Sequence, residues 1–468
     1  MAFEWLKGFL GKLKGATTTE ASIETAFQKK TAVSKDMTQN INLWYSMYIN
    51  EPPWESCDTQ SIGIPGAIVR ELSRTALTEF TTLVSGSPRA DYINEQLTRA
   101  EPSLVKALEL GLAIGGVALK PVLSGDRLSV DYTSLTAFTP TRFGNDGEVL
   151  GGVFREVRKH NGKTYVRMED HEFVDDGDGT VYRIRNKAYN SSTGGQPNGQ
   201  ELPLNTVPDW ANVHPEVTIR NLERPLFGFF KVPRENNVDF GSDVGVSIFG
   251  GAAVGLIRQA DEQWGRLIWE YESGERKVFI DGTAADAKMY GSRLFEYGPF
   301  GGASGDFFKD FNPAMRDGPL YDGFQHILQR IEFETGLAYG DLSDPQSVEK
   351  TATEIRTSRQ RKYVTVGHIQ NAFQRAIEDL VYAMDAFCDI YQLVPRGQYE
   401  VTFTHGDAVL DDSDAIRQDK ALDLQEVNAG IMADWEYRAK WYGETEEEAK
   451  ANLPGLKDLT TESQEVIE

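Results

Sequence analysis

From Thr351 to Tyr391 the sequence holds one helical pattern for about forty residues, which at roughly 1.5 Å per residue reaches nearly 60 Å. Thr351 and Glu354 make a capping-box pair ahead of Ile355, and Ile369, Phe373, Ile377, Leu380 or Val381, and Met384 continue an apolar stripe. A helix of that reach spans a whole subunit, so the remaining elements must be arranged along it.

Those elements change period several times. Residues 20 to 115 read as helical: Ile41, Trp44, Tyr45 and Tyr48 share a side before the break at Pro52-Pro53. A second stripe takes in Ile68, Leu72, Leu77, Phe80 and Leu83 and stops at Gly86, and a third helix, "SLVKALELGLAIG", ends at Gly115-Gly116. From there to about Lys231 the period is two. Val153, Arg155 and Val157 alternate before Asn161-Gly162, and Tyr165 to Met168 return, which is a hairpin signature. "DDGDGT" and "YNSSTGGQPNGQ" read as loops, "VTIRN" and "LFGFFKV" as strands. Ile248, Ala252, Leu256, Ala260, Trp264 and Ile268 then repeat every four residues and predict one long helix. A short strand-and-loop insert follows, and "YDGFQHILQRIEFETGL" returns the chain as a helix. "QYEVTFTHGD" contributes one strand before three short helices stopped by Gly430, Gly443 and Pro454. The expected fold class is therefore α+β.

A chain of 468 residues is long enough for two to four structural units. Its 71 acids against 48 bases give a net charge of −23, which repels phosphate backbones on average and argues against tight nonspecific DNA wrapping. Residues 401–468 hold 17 acids and 6 bases, a balance of −11, so nearly half of the excess sits at that end. Cys57 and Cys388 give no disulfide framework and suit a reducing compartment. No apolar run approaches the roughly eighteen residues needed to span a bilayer. Phe3, Leu6, Leu10 and Leu13, with Lys7, Lys12 and Lys14, make a small basic amphipathic arm. It suits docking on a partner or a neighbouring subunit, or else a frayed end or weak membrane contact.

The enzyme motifs fail on spacing. "NGKT" at 161–164 would need a glycine where Val157 stands, and the acidic turn at Asp175, Asp176 and Asp178 has Val181 where a calcium loop needs glycine. The six histidines show no metal-ligand spacing. Asp411, Asp412 and Asp414 are an alternative magnesium site, but they stand ahead of a helix, where carboxylates cap free amides. No nucleophile elbow or Cys-His arrangement stands out. No catalytic residue, metal or cofactor is expected.

The joint order of "INLWYSMYINEPPW", "GGVALKPVLSGDRLSVDYTSLTAFTPTRF", "VGVSIFGGAAVGLIRQADEQWGRLIWEYESGERKVFIDG", "SVEKTATEI" and "DLQEVNAGIMADWEYRAKWYG" resembles the portal proteins of long-tailed double-stranded DNA bacteriophages, over about residues 40 to 455. The resemblance implies a homo-oligomeric ring of about twelve subunits at one capsid vertex. It implies a channel for DNA packaging and ejection, and docking of the terminase packaging motor and then the head-tail adaptor. Major capsid and scaffolding proteins would be neighbours in a virion assembled in the host cytoplasm. It further implies a mixed α/β wing at 1–243, stem helices at 244–273 and 320–336 and a clip at 274–319. The tunnel loop falls at 337–351, the long helix at 352–392, a strand returning to the wing at 393–405 and an α-helical crown at 406–468. Motor and adaptor contacts would fall on Phe300, Gly301, Gly302, Phe307 and Phe308. Gly340, Ser343, Asp344, Gln346, Ser347 and Lys350 would face DNA, being small or polar as a flexible loop beside a moving duplex requires. Arg356, Arg359 and Lys362 share a broad helix face, for pairing with a neighbouring subunit or for DNA. The alternative function is a capsid-associated metal-dependent nuclease or terminase component.

Overall fold

Two serines open helices by taking up free amides, as N-caps do. Ser34 Oγ accepts from the Met37 amide at 3.2 Å to start α2 (Lys35–Tyr48), which follows α1 (Glu20–Phe27). Ser87 Oγ accepts from Ala90 to start α4 (Pro88–Ile114), behind α3 (Ile64–Leu77). Helix α4 ends at Gly115, whose φ of 103° is left-handed and whose absent side chain would collide with the Gly245 carbonyl. The computed structural model describes residues 20–57, 59–78, 80–191, 195–275, 277–281, 295–298, 308–344, 352–404, 413–442 and 444–453.

The helical reading of residues 20 to 115 is wrong between α3 and α4. Helix α3 stops at Leu77, and Thr81–Ser85 is a strand, β1. Its Thr81, Thr82 and Val84 are β-branched and fit a pleated ladder, and it pairs antiparallel with β14 (Glu400–Thr404), far along the chain. The three-residue spacing of Phe80 and Leu83 fits a helix but does not require one.

Strands β2 (Gly116–Ser124), β3 (Arg127–Ser134) and β10 (Gly228–Lys231) form one sheet in the order β10-β2-β3. A six-stranded sheet runs β4 (Phe138–Phe143), β5 (Val149–His160), β6 (Lys163–Asp175), β7 (Thr180–Ser191) and β8 (Pro197–Leu202), with β9 (Glu216–Arg220) also on β7. Asn161 and Gly162, at φ 48° and 74°, make the β5–β6 turn, as the hairpin signature requires. Strand β8 corrects the loop reading of "QPNGQ": it is an edge strand, where proline is tolerated and alternation is absent because most of it is exposed.

Helix α5 (Ala252–Ser273) and helix α6 (Asp317–Thr335) lie antiparallel: Gln263 reaches the Leu320 carbonyl at 3.0 Å and Trp264 meets Phe324. The four-residue stripe drifts off the buried face, as a 3.6-residue period requires. Ala253, Ile257, Ala260, Asp261, Leu267 and Glu270 are buried, whereas Ile268 is exposed and Ile248 precedes the helix. Between them, β11 (Lys277–Asp281), β12 (Phe295–Gly298) and β13 (Phe308–Phe311) form a small sheet in the order β12-β11-β13. Glu270 closes its base on Arg316, accepting the backbone amide at 2.9 Å and the guanidinium at 2.8 Å.

The long helix, α7 (Ala352–Ile390), has 39 residues, close to the length expected. Ile369, Phe373, Ile377, Leu380, Val381 and Met384 are buried in the main core with α2 to α4 and β10. Arg89, only 3% exposed, ties the exit of α7 to α4: it binds Asp385 and Asp389 and donates to the carbonyls of Val394 and Pro395. The chain divides into two compact units, residues 1–406 and 407–468. The second holds α8 (Ser413–Asn428), α9 (Asp434–Tyr442) and α10 (Glu446–Ala451), the three short helices expected from the sequence. Within it, Asp423 binds Trp441 and Lys440.

Candidate DNA-facing loop and the charges around it

Helix α6 ends on Gly336, at φ 77°, and packs it directly on Thr365 of α7 with no room for a side chain. The next eight residues wrap around one carboxylate. Glu332 is fully buried, and its Oε1 accepts from the amides of Gly340 (3.0 Å), Leu342 (2.7 Å) and Ser343 (2.8 Å). Ser343 Oγ donates to it as well, and Gln325 Oε1 accepts from the Asp344 amide at 2.7 Å. Asp341 Oδ2 accepts from Ala338 and lies 3.1 Å from Lys362 Nζ, which also binds Glu71 of α3 at 2.7 Å. Arg361 lies over Phe333 and Tyr339, at 4.9 and 4.8 Å, and donates to the Leu337 carbonyl.

This geometry corrects two sequence-based assignments. The sequence predicts a flexible polar loop at Gly340, Ser343 and Asp344, yet their amides are fixed from α6, and Ser343 is only 3% exposed. A backbone that must satisfy its amides away from water takes them to Glu332, and that partner is eight to eleven residues away. Lys362 was grouped with Arg356 and Arg359 for a neighbouring subunit or DNA, yet it is buried and paired inside its own chain. Arg359 is exposed, and the Arg356 side chain, with Gln346, Ser347 and Lys350, lies outside the described residues.

Phe308 opens β13 opposite Ile280, while Phe300, Gly301, Gly302 and Phe307 lie outside the described residues. So do Asp411 and Asp412, and Asp414 is in the first turn of α8. Among the described residues no group of His, Cys, Asp or Glu is disposed to hold a metal ion, and no helix is long and apolar enough to cross a membrane.

A second buried polar cluster, absent from the sequence reading, lies on the six-stranded sheet. Asp170, with no exposure, binds Lys29 of the segment after α1 at 2.8 Å and Arg185 of β7 at 2.7 Å. Beside it, Glu169 binds Lys120, Arg167 and His171. Tyr182 OH accepts from the Leu226 amide, so its proton goes to His171 Nδ1, and His171 Nε2–H donates to Glu169. That tautomer is neutral. Burial pushes the His171 pKa down, against the pull of Glu169. For Glu169, burial is outweighed by Lys120, His171 and Arg167, which hold its carboxyl well below the usual range. The sequence signal was the alternation Lys-Thr-Tyr-Val-Arg-Met-Glu-Asp-His, polar residues on an otherwise buried strand.

No protein-family model matches the chain, and no curated protein is significantly similar to it.

Proposed function

We propose that the chain is the subunit of a portal ring, a channel of about twelve copies through which double-stranded DNA is packaged and ejected. The observation that carries this reading is connectivity. An antiparallel helix pair, α5 and α6, is interrupted by a small three-stranded sheet and followed by an anchored loop, and a 39-residue helix then packs back on the body. The helix pair fits a stem, the small sheet a clip for the packaging motor and adaptor, and the three-helix unit a crown.

Electrostatics fit the same role. A strongly acidic subunit does not grip phosphate, and a passage for a moving duplex works only if it binds no phosphate tightly. The anchored segment 337–344 serves as the fixed base of the loop, and DNA contact falls to the residues beyond it. Inserting four Gly-Ser residues between Asp344 and Thr351 tests this assignment in packaging extracts. Rings are expected to assemble normally while nuclease-protected DNA per particle falls several-fold. Normal packaging by such particles would refute a DNA-facing loop.

A further inference from the structure

Strand β5 joins two surfaces of opposite charge. The turn before it, Asp146 to Glu148, walls a cleft of about 940 Å³ whose lining carries seven carboxylates against four lysines and arginines. Arg224 is taken up by Asp379 at 3.0 Å and Lys231 by Asp243 at 3.5 Å. Glu148, Glu223 and Glu235 are exposed and meet no cationic partner among the described residues. At the other end of β5 stands the β5–β6 hairpin tip, where Arg158, Lys159 and Lys163 are exposed. Arg158 is bound to Glu156 and Asp209, but Lys159 and Lys163 meet no acidic partner among the described residues. Val157, 39% exposed, adds an apolar contact beside them. The tip is held in shape by its two left-handed turn residues and by the pairing of His160 with Lys163. At roughly 3.3 Å per residue, the strand holds the two surfaces about 36 Å apart.

We propose that the β5–β6 hairpin of one copy docks in the acidic cleft of the next. Copies carrying −23 each repel one another, so association requires an oriented pairing of opposite local charges, which also fixes register. A contact between two different surfaces of one chain is heterologous: it repeats head to tail and closes into a ring when the rotation permits. Closure rests on the portal reading; the hairpin–cleft contact does not.

The test is the mass distribution, in solution, of the full chain and of two charge-swapped variants. Lys159→Glu/Lys163→Glu and Glu148→Lys/Glu235→Lys change only exposed side chains, so both are expected to melt like the parent. Each alone should weaken self-association by at least about ten-fold, and an equal mixture should restore it, since every tip then meets a cleft of opposite sign. If the wild type assembles and either variant assembles as well, or if the mixture stays dissociated, the hairpin–cleft interface is wrong while a ring stands. If the wild type forms only dimers or open chains that the swaps abolish, the interface stands and the ring falls. A wild type that stays monomeric at every concentration overturns both.

Discussion

The molecule buries carboxylates in two different ways. On the six-stranded sheet, Asp170 and Glu169 are met by cations, Lys29, Arg185, Lys120 and Arg167. Under the loop after α6, Glu332 is met by backbone amides and a serine hydroxyl. The first arrangement ties neighbouring strands and the segment after α1 together through side chains. The second uses one side chain to set the path of a backbone. A charged cluster therefore acts as a packing element, while an amide-bound carboxylate determines the shape of a segment whose sequence looks unconstrained.

The contrast breaks most sharply at Glu169. Glu169→Ala leaves Lys120 without its anion and takes one of two from Arg167, which keeps Glu156, and is expected to cost about 3–5 kcal/mol, seen as a lower urea midpoint. The same cluster sets an acid limit. A carboxyl held low in the fold contributes stability above its unfolded value near pH 4.3, and that contribution is lost as pH falls through the depressed folded value. His171, also lowered, favours the fold fully above its unfolded value near 6.5 and progressively less below it. The urea midpoint should therefore drop as pH falls below about 6.5, and His171→Gln should flatten that part of the curve.

Glu332→Ala comes next, at about 3 kcal/mol, because several buried donors lose their acceptor together. Its distinguishing sign is local: amide exchange should quicken at Gly340, Leu342 and Ser343 and stay unchanged on β6. Gly336→Ala, which needs a left-handed φ and collides with Thr365, is expected to cost about 2 kcal/mol. Lys362→Met is the mildest, at about 1 kcal/mol, since Glu71 and Asp341 keep some access to water. Both are measured by urea midpoint, and amide exchange that quickened on β6 as well in Glu332→Ala would erase the distinction drawn between the two kinds of site.

What the sequence disclosed follows the range of the interactions. Helix α7 was legible because its stripe from Ile369 to Met384 is local, and the Asn161-Gly162 turn because left-handed backbone selects those residues. Strand β1 was not, because its partner lies more than 300 residues away, and β8 was not, because an exposed edge strand carries no alternation. The loop was misjudged for a related reason. Glycine, serine and aspartate read as freedom only while Glu332, Gln325 and Lys362 are out of view, and Lys362 meets Glu71 across 291 residues. The acids and bases on β6 were visible as letters, but their mutual pairing requires the register of β5, β6 and β7.

Class averages from electron micrographs of the purified chain test the central claim most directly. The account predicts closed rings of about twelve copies around an open pore. A population of monomers or dimers at every concentration and salt would contradict it.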